Sequence, residues 1–272
     1  MAEAFRHADR DQTIVFGDGA LDSAEDLIGD DYDLLTTPRA ARAGAAIVDR
    51  AACVVHVPAG AVDEVAGRLL DTVGRRRLVA LGGGRVIDTA KAVAAAKALS
   101  GPVAIPTTLS GAEMTGVHRH ARGVPDATPR SRASVVINDP ALSASQPPEQ
   151  LAASAANALG HAITALTSSR STPIARAVAH DAVRCLVRGC AAEPDRPQVA
   201  LGSLLAGWAV DRSGLGPHHA LSQTAVRIAS LEHAQANAVL LPHTIRALRS
   251  RVPDVFDALD DELGTALEDV AR

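Results

Sequence analysis

Three consecutive glycines, Gly82-Gly83-Gly84, follow the apolar run Leu78–Leu81 and precede a helical stretch carrying Asp88 and Lys91. Glycine lets a backbone approach a phosphate closely because no Cβ stands in the way. A strand–turn–helix join also presents free amides and the positive end of a helix dipole. The spacing is neither G-x-G-x-x-G nor a P-loop, and three glycines also suit a purely structural turn. A second polar loop, PTTLSGAE at 106–113, brings Thr107, Thr108 and Ser110 to the end of the next apolar run. Its hydroxyls suit a cofactor's phosphate or amide, or equally a helix start capped by Ser/Thr. Further on, Asn157 and His161 are four apart and share one helix face. His218-His219, Gln223 and Glu232-His233 follow. Histidines on separate helices can converge on one ligand or metal, though each alone also suits a hydrogen-bonded structural place.

The elements that must position these residues fall into two halves. In the first, short β-like runs alternate with helical stretches: Thr13–Phe16, Tyr32–Thr36, Cys53–Val57, Leu78–Leu81, Val103–Ile105 and Val135–Ile137. Helices are expected over Val62–Val73 and Val86–Leu99. That alternation predicts a parallel sheet covered on both faces. From Glu149 onward Ala and Leu recur with helical period and strand-like runs are scarce, which predicts an all-helical half. Pro147-Pro148 is the expected hinge, giving domains 1–147 and 148–272 with a cleft between them.

Composition narrows the classes. A chain of 272 residues has length for one large or two ordinary domains. The formal charge of −4 argues against a nucleic-acid surface. The triplet Arg75-Arg76-Arg77 reads as a solvated helix end. Cys53, Cys185 and Cys190 form no CxxC pair, as in a reducing compartment. The N-terminal MAEAFRHADRDQ lacks the apolar core of a signal peptide, and no run reaches the ~20 apolar residues of a membrane span. A cytoplasmic protein without membrane partners is expected.

Taken together and in order, GGGRVIDTAK (82–91), PTTLSGAE (106–113), NALGHAITAL (157–166), HHALSQ (218–223) and HAQANAVLLPH (233–243) resemble the iron-containing alcohol dehydrogenase superfamily. That superfamily includes glycerol dehydrogenases and maleylacetate reductases. The resemblance implies a dehydroquinate synthase-like fold, with an N-terminal α/β dinucleotide-binding domain and an all-α C-terminal domain. It implies NADH or NADPH bound at Gly82, Gly83, Gly84, Arg85, Asp88, Thr107, Thr108 and Ser110, and a homodimer. Asn157, where metal-dependent members carry aspartate, together with VVINDPAL (135–142) and His218-His219, resembles the maleylacetate reductase branch. That branch implies NAD(P)H-dependent reduction of maleylacetate, a dicarboxylate, to 3-oxoadipate in aromatic degradation. By position, the superfamily's metal-ligand set falls on Asn157, His161, His219 and His233. The neutral amide of Asn157 is a poor substitute for a carboxylate on a divalent cation, so a metal-independent site is implied, in which histidines stabilise an enolate. Were a metal present, His161, His219 and His233 would hold it.

This chain departs from the superfamily's pattern at Gln223, where a histidine is usual, and at Arg85 and Ala112, which replace serines. It also stops soon after Leu241-Pro242-His243, where relatives continue with further helices. His118 and Arg119 are candidate cationic partners for the substrate. Two alternatives stay open: a metal-dependent alcohol dehydrogenase, and a catalytically silent homologue acting as a binding or partner subunit.

Overall fold

The computed structural model describes residues 2–190, 193–229, 233–264 and 267, without the side chains of residues 145, 233 and 234. Seven strands form one sheet: β1 (Phe5–Asp9), β2 (Gln12–Phe16), β3 (Tyr32–Thr36), β4 (Cys53–His56), β5 (Arg77–Gly82), β6 (Val103–Pro106) and β7 (Val135–Asn138). Their order is β1-β2-β7-β6-β5-β3-β4. Every neighbouring pair is parallel except the antiparallel β1–β2 hairpin. The helices between strands are α1 (Ala20–Ser23), α2 (Glu25–Ile28), α3 (Pro38–Ala43), α4 (Ala45–Asp49), α5 (Val62–Leu69) and α6 (Gly84–Ala96), with a 3-10 turn at Pro140–Ser145.

Side chains alternate across a strand, and the sheet has two buried faces to fill. Leu34, Val79, Leu81, Ile105 and Ile137 pack with Ala24, Ile28, Ala40 and Ile47 of the short helices. The alternate positions Leu35, Leu78, Ala80, Ala104 and Val136 are also buried, on the face toward which α6 packs against β3, β5 and β6. This double cover explains why the central strands read as continuous apolar runs.

β1 was not expected from the sequence. FRHAD offers little apolar alternation because the strand lies at the sheet edge with its middle residues exposed. The arginine triplet also differs from expectation. Arg77 opens β5 and is partly buried, which lowers its pKa, while Arg76 pairs with Asp31 and Asp33. The helices near the glycine turn are displaced from prediction: α5 ends at Leu69 and α6 begins at Gly84 itself.

The chain forms two compact units, residues 2–108 with 112–145, and residues 109–111 with those described from 146 onward. The second unit is helical: α7 (Pro148–Thr167), α8 (Pro173–Gly189), α9 (Arg196–Ser213), α10 (Pro217–Ala229), α11 (His233–Arg249) and α12 (Pro253–Leu263). α7 is buried from Ser154 to Leu166 with no polar face left over, as befits a central helix, and α8, α9, α10 and α11 pack on it. No described helix is long and apolar enough to cross a membrane.

Candidate functional site

In the α/β unit, β5 delivers its carboxyl end at Gly82 directly into α6, whose N-cap is Gly83 and whose first turn is Gly84-Arg85-Val86. The N-cap supplies no side-chain hydrogen bond, so the first amides of α6 are left for water or a ligand. Gly82 is required by packing, since a Cβ there would lie 2.7 Å from a methyl of Val86. Gly83 faces the second loop, where a Cβ would come within 2.9 Å of Thr108 Oγ1. Thr107 locks that loop to the turn by donating its amide to the Gly82 carbonyl at 3.0 Å. Its own Oγ1 is buried without a hydrogen-bond partner. An uncapped helix start, a cradle that a Cβ would fill and an orphaned hydroxyl fit a phosphate group.

Lys91 anchors this arrangement, and sequence reasoning gave it no part. It is fully buried, and Nζ reaches the carbonyls of Ala112 (2.8 Å), Thr115 (3.0 Å) and Val117 (3.1 Å) and Asp88 Oδ1 (2.7 Å). Asp88, expected near the cofactor, is therefore committed to this lysine. A lone Lys in the apolar run VIDTAKAVAAA was the available signal, because a buried ammonium needs partners. Beside it, Glu113 is 1% exposed. Burial pushes its carboxyl up to about 7, against the opposing pull of a backbone hydrogen bond and of Lys91.

His118 does not serve as a cation. Its Nε2 accepts the Ser131 amide at 3.0 Å and its Nδ1 donates to the Arg119 carbonyl at 2.9 Å, which fixes the neutral tautomer. Burial lowers its pKa further. Arg119 lies 3.7 Å from Asp63.

The helical unit gathers a second polar group. Asn157 and His161 are both buried on α7, and His161 lies against His219 of α10 with ring centroids 5.0 Å apart. Asn157 Nδ2 reaches the Ser110 carbonyl at 3.5 Å, while its Oδ1 is buried without a hydrogen-bond partner. Gly111 adopts φ +70 beside them. A Cβ there would be 3.2 Å from the Gly207 Cα and 3.5 Å from His161 Nδ1, so two glycines let the loop and α9 meet backbone to backbone. Gln223 follows His219 by one turn and is partly buried. His233 is the first residue of α11, and its side chain lies outside the described residues.

His218 has a different place from its neighbour. Nδ1 pairs with Thr244 Oγ1 at 3.0 Å, and that hydroxyl itself donates to the Leu240 carbonyl. The opposite edge of the ring rests on Gly160, where a Cβ would lie 2.7 Å away. His218 thus binds α10 to α7 and α11. Thiol chemistry is disfavoured in this unit, because burial raises Cys185 and pushes Cys190 up to about 11.

Asn157 offers a neutral amide where a carboxylate would bind a divalent cation better, and the side chain of His233, the fourth of these positions, lies outside the described residues. Among the described residues no three His, Cys, Asp or Glu side chains are grouped to hold a metal.

The Fe-containing alcohol dehydrogenase C-terminal family model matches residues 151–271. Maleylacetate reductase from Pseudomonas aeruginosa is 31% identical over 298 residues, covering 98% of this chain and 84% of that protein. The chain belongs to the iron-containing alcohol dehydrogenase family. The maleylacetate reductase of Pseudomonas knackmussii is 33% identical, with the same coverage. Among solved structures, the maleylacetate reductase of Rhizobium sp. strain MTP-10005 superposes with TM-score 0.82 at 28% identity, covering 100% of this chain and 84% of that one. The corresponding enzyme from Agrobacterium tumefaciens gives TM-score 0.82 at 27% identity. The chain thus carries this oxidoreductase family's fold, a parallel-sheet unit followed by a helical one.

Proposed function

We propose that this chain reduces maleylacetate to 3-oxoadipate with NADH or NADPH, as a cytoplasmic homodimer acting late in aromatic degradation. The observation that carries the reading is the pairing of His161 with the half-buried His219, ring centroids 5.0 Å apart, with the buried amide of Asn157 one turn earlier on α7. Its support is the likeness to maleylacetate reductases along nearly the whole chain.

The first amides of α6, with Thr107 and Thr108, would hold the pyrophosphate of the dinucleotide. When bound, the dinucleotide supplies hydride. Its addition to the carbon–carbon double bond conjugated with the substrate's keto group would move the electron pair onto the keto oxygen. Imidazole N–H groups of the buried His161 and the half-buried His219 donate to that developing enolate. The enolate then collapses with protonation of the carbon next to the ketone. Gln223 can hydrogen-bond but cannot titrate, so the proton arrives from a histidine or from solvent.

The test is oxidation of NADH and NADPH with maleylacetate by chelator-treated protein, with and without added iron or zinc. Turnover that survives chelation supports the reading. Turnover only with metal moves the chain to the metal-dependent alcohol dehydrogenases. Dinucleotide binding without turnover under any condition makes it a silent homologue.

A further inference from the structure

The chain path through the sheet reverses between β3 and β5. From β3 the chain steps outward to β4, then crosses back to β5 and proceeds through β6 to β7 on the other side. In an open parallel sheet, such a switch point leaves a crevice at the strands' carboxyl ends, and dinucleotides bind there. The two ends that border this crevice are Gly82 of β5 and the residues after Thr36 of β3. The register pairs Thr36 with Leu81, so Thr37 emerges beside Gly82.

A dinucleotide whose pyrophosphate sits on the start of α6 turns its adenosine ribose toward the neighbouring strand end. The residue type there decides the coenzyme. A carboxylate accepts the two ribose hydroxyls of NAD and repels a 2′-phosphate, whereas an arginine receives the phosphate. Here the segment reads Thr36-Thr37-Pro38-Arg39-Ala40-Ala41-Arg42, and no acid occurs before Asp49. Arg39 Nη1 is buried and has no hydrogen-bond partner. An unpaired buried guanidinium nitrogen is costly, and the arginines near the other end of this sheet show the ordinary solution. Arg50 pairs with Asp30, and Arg76 with Asp31 and Asp33. Arg85, in the first turn of α6 that follows Gly82, is exposed.

We propose that Arg39, aided by Arg85, forms a seat for the 2′-phosphate, so that this chain takes NADPH in preference to NADH. This rests on the dinucleotide reading of the glycine turn and goes beyond it in assigning the coenzyme.

The experiment is direct fluorescence titration of the full chain with NADPH and with NADH, without substrate. The wild type binds NADPH at least about tenfold more tightly, equivalent to ~1.4 kcal/mol. Arg39→Gln erases most of that ratio by weakening NADPH while leaving the NADH affinity within about twofold. Thr37→Asp provides a second route that spares the fold. The Thr37 hydroxyl caps α3 by accepting the Ala40 amide at 3.3 Å, and aspartate caps equally well. Its carboxylate turns the preference toward NADH. Equal affinities in the wild type, an unchanged ratio in Arg39→Gln, or equal loss of both coenzymes in that variant would each overturn the proposal. Failure of the wild type to bind either coenzyme would overturn the dinucleotide reading itself, and the phosphate seat with it.

Discussion

Replacing Glu113 by glutamine removes a proton-linked cost from the α/β unit. The carboxyl is 1% exposed, and its Oε2 has no hydrogen-bond partner. Burial raises it from 4.5 to about 7, Asp88 adding to the effect and Lys91 opposing it. Between those values the folded chain keeps a proton that the unfolded chain has released. The contribution of this carboxyl to stability is therefore greatest below pH 4.5, falls as pH rises through this window, and levels off above about 7. The whole titration is worth roughly 3 kcal/mol, most of which falls between pH 5 and pH 8. Glu113→Gln keeps the shape without the ionisation, so its stability relative to wild type grows by that amount over the same interval. Urea unfolding at several pH values measures it. The chain has one tyrosine and one tryptophan, and Tyr32 lies in β3 while Trp208 lies in α9. The near-ultraviolet signal of Tyr32 therefore reports on the unit that also holds Glu113. Parallel pH profiles for wild type and variant would refute the reasoning.

Gly83→Ala places a methyl within 2.9 Å of Thr108 Oγ1, at the opening where a phosphate would approach. Coenzyme affinity falls about tenfold while thermal stability changes by less than ~1 kcal/mol, since the backbone there is extended; titration and melting curves separate the two. Gly101→Ala would drive a Cβ into the Arg132 carbonyl oxygen, and overpacking against backbone costs at least ~2 kcal/mol in urea unfolding. Gly160→Ala gains up to ~1 kcal/mol of helix propensity but drives a methyl into His218. It destabilises the wild type and is neutral or stabilising in a His218→Ala background, a sign reversal that a double-mutant cycle reads directly.

Much of the fold was legible because the central strands are buried on both faces. Tyr32–Thr36 was bounded correctly from its apolar run alone, and β5, β6 and β7 differ from expectation only at their ends. β1 escaped because an exposed edge strand is held by pairing to β2, a non-local cause that leaves no pattern in its own five residues. α5 stops four residues early for a related reason. Val73 is buried as periodicity suggests, but it reaches the core from the turn that leads into Arg77.

The candidate site was legible as residue types and much less as relationships. Spacing placed Asn157 and His161 on one face, yet nothing in the HH pair distinguished its members. That distinction depends on Thr244, twenty-six residues further on, and on the missing side chain of Gly160, which together turn His218 into a tie between helices and leave His219 beside His161. The same logic separates the two cations near the glycine turn. Lys91 sits in the motif that suggested a coenzyme, but three carbonyls and Asp88 already occupy its ammonium. Arg39 lies outside every motif, and its buried Nη1 has no hydrogen-bond partner. A satisfied buried charge holds a loop in place, whereas a half-buried one with its inward nitrogen left unbonded points to a ligand. That physical difference, rather than membership of a motif, makes Arg39 the residue to test for coenzyme choice.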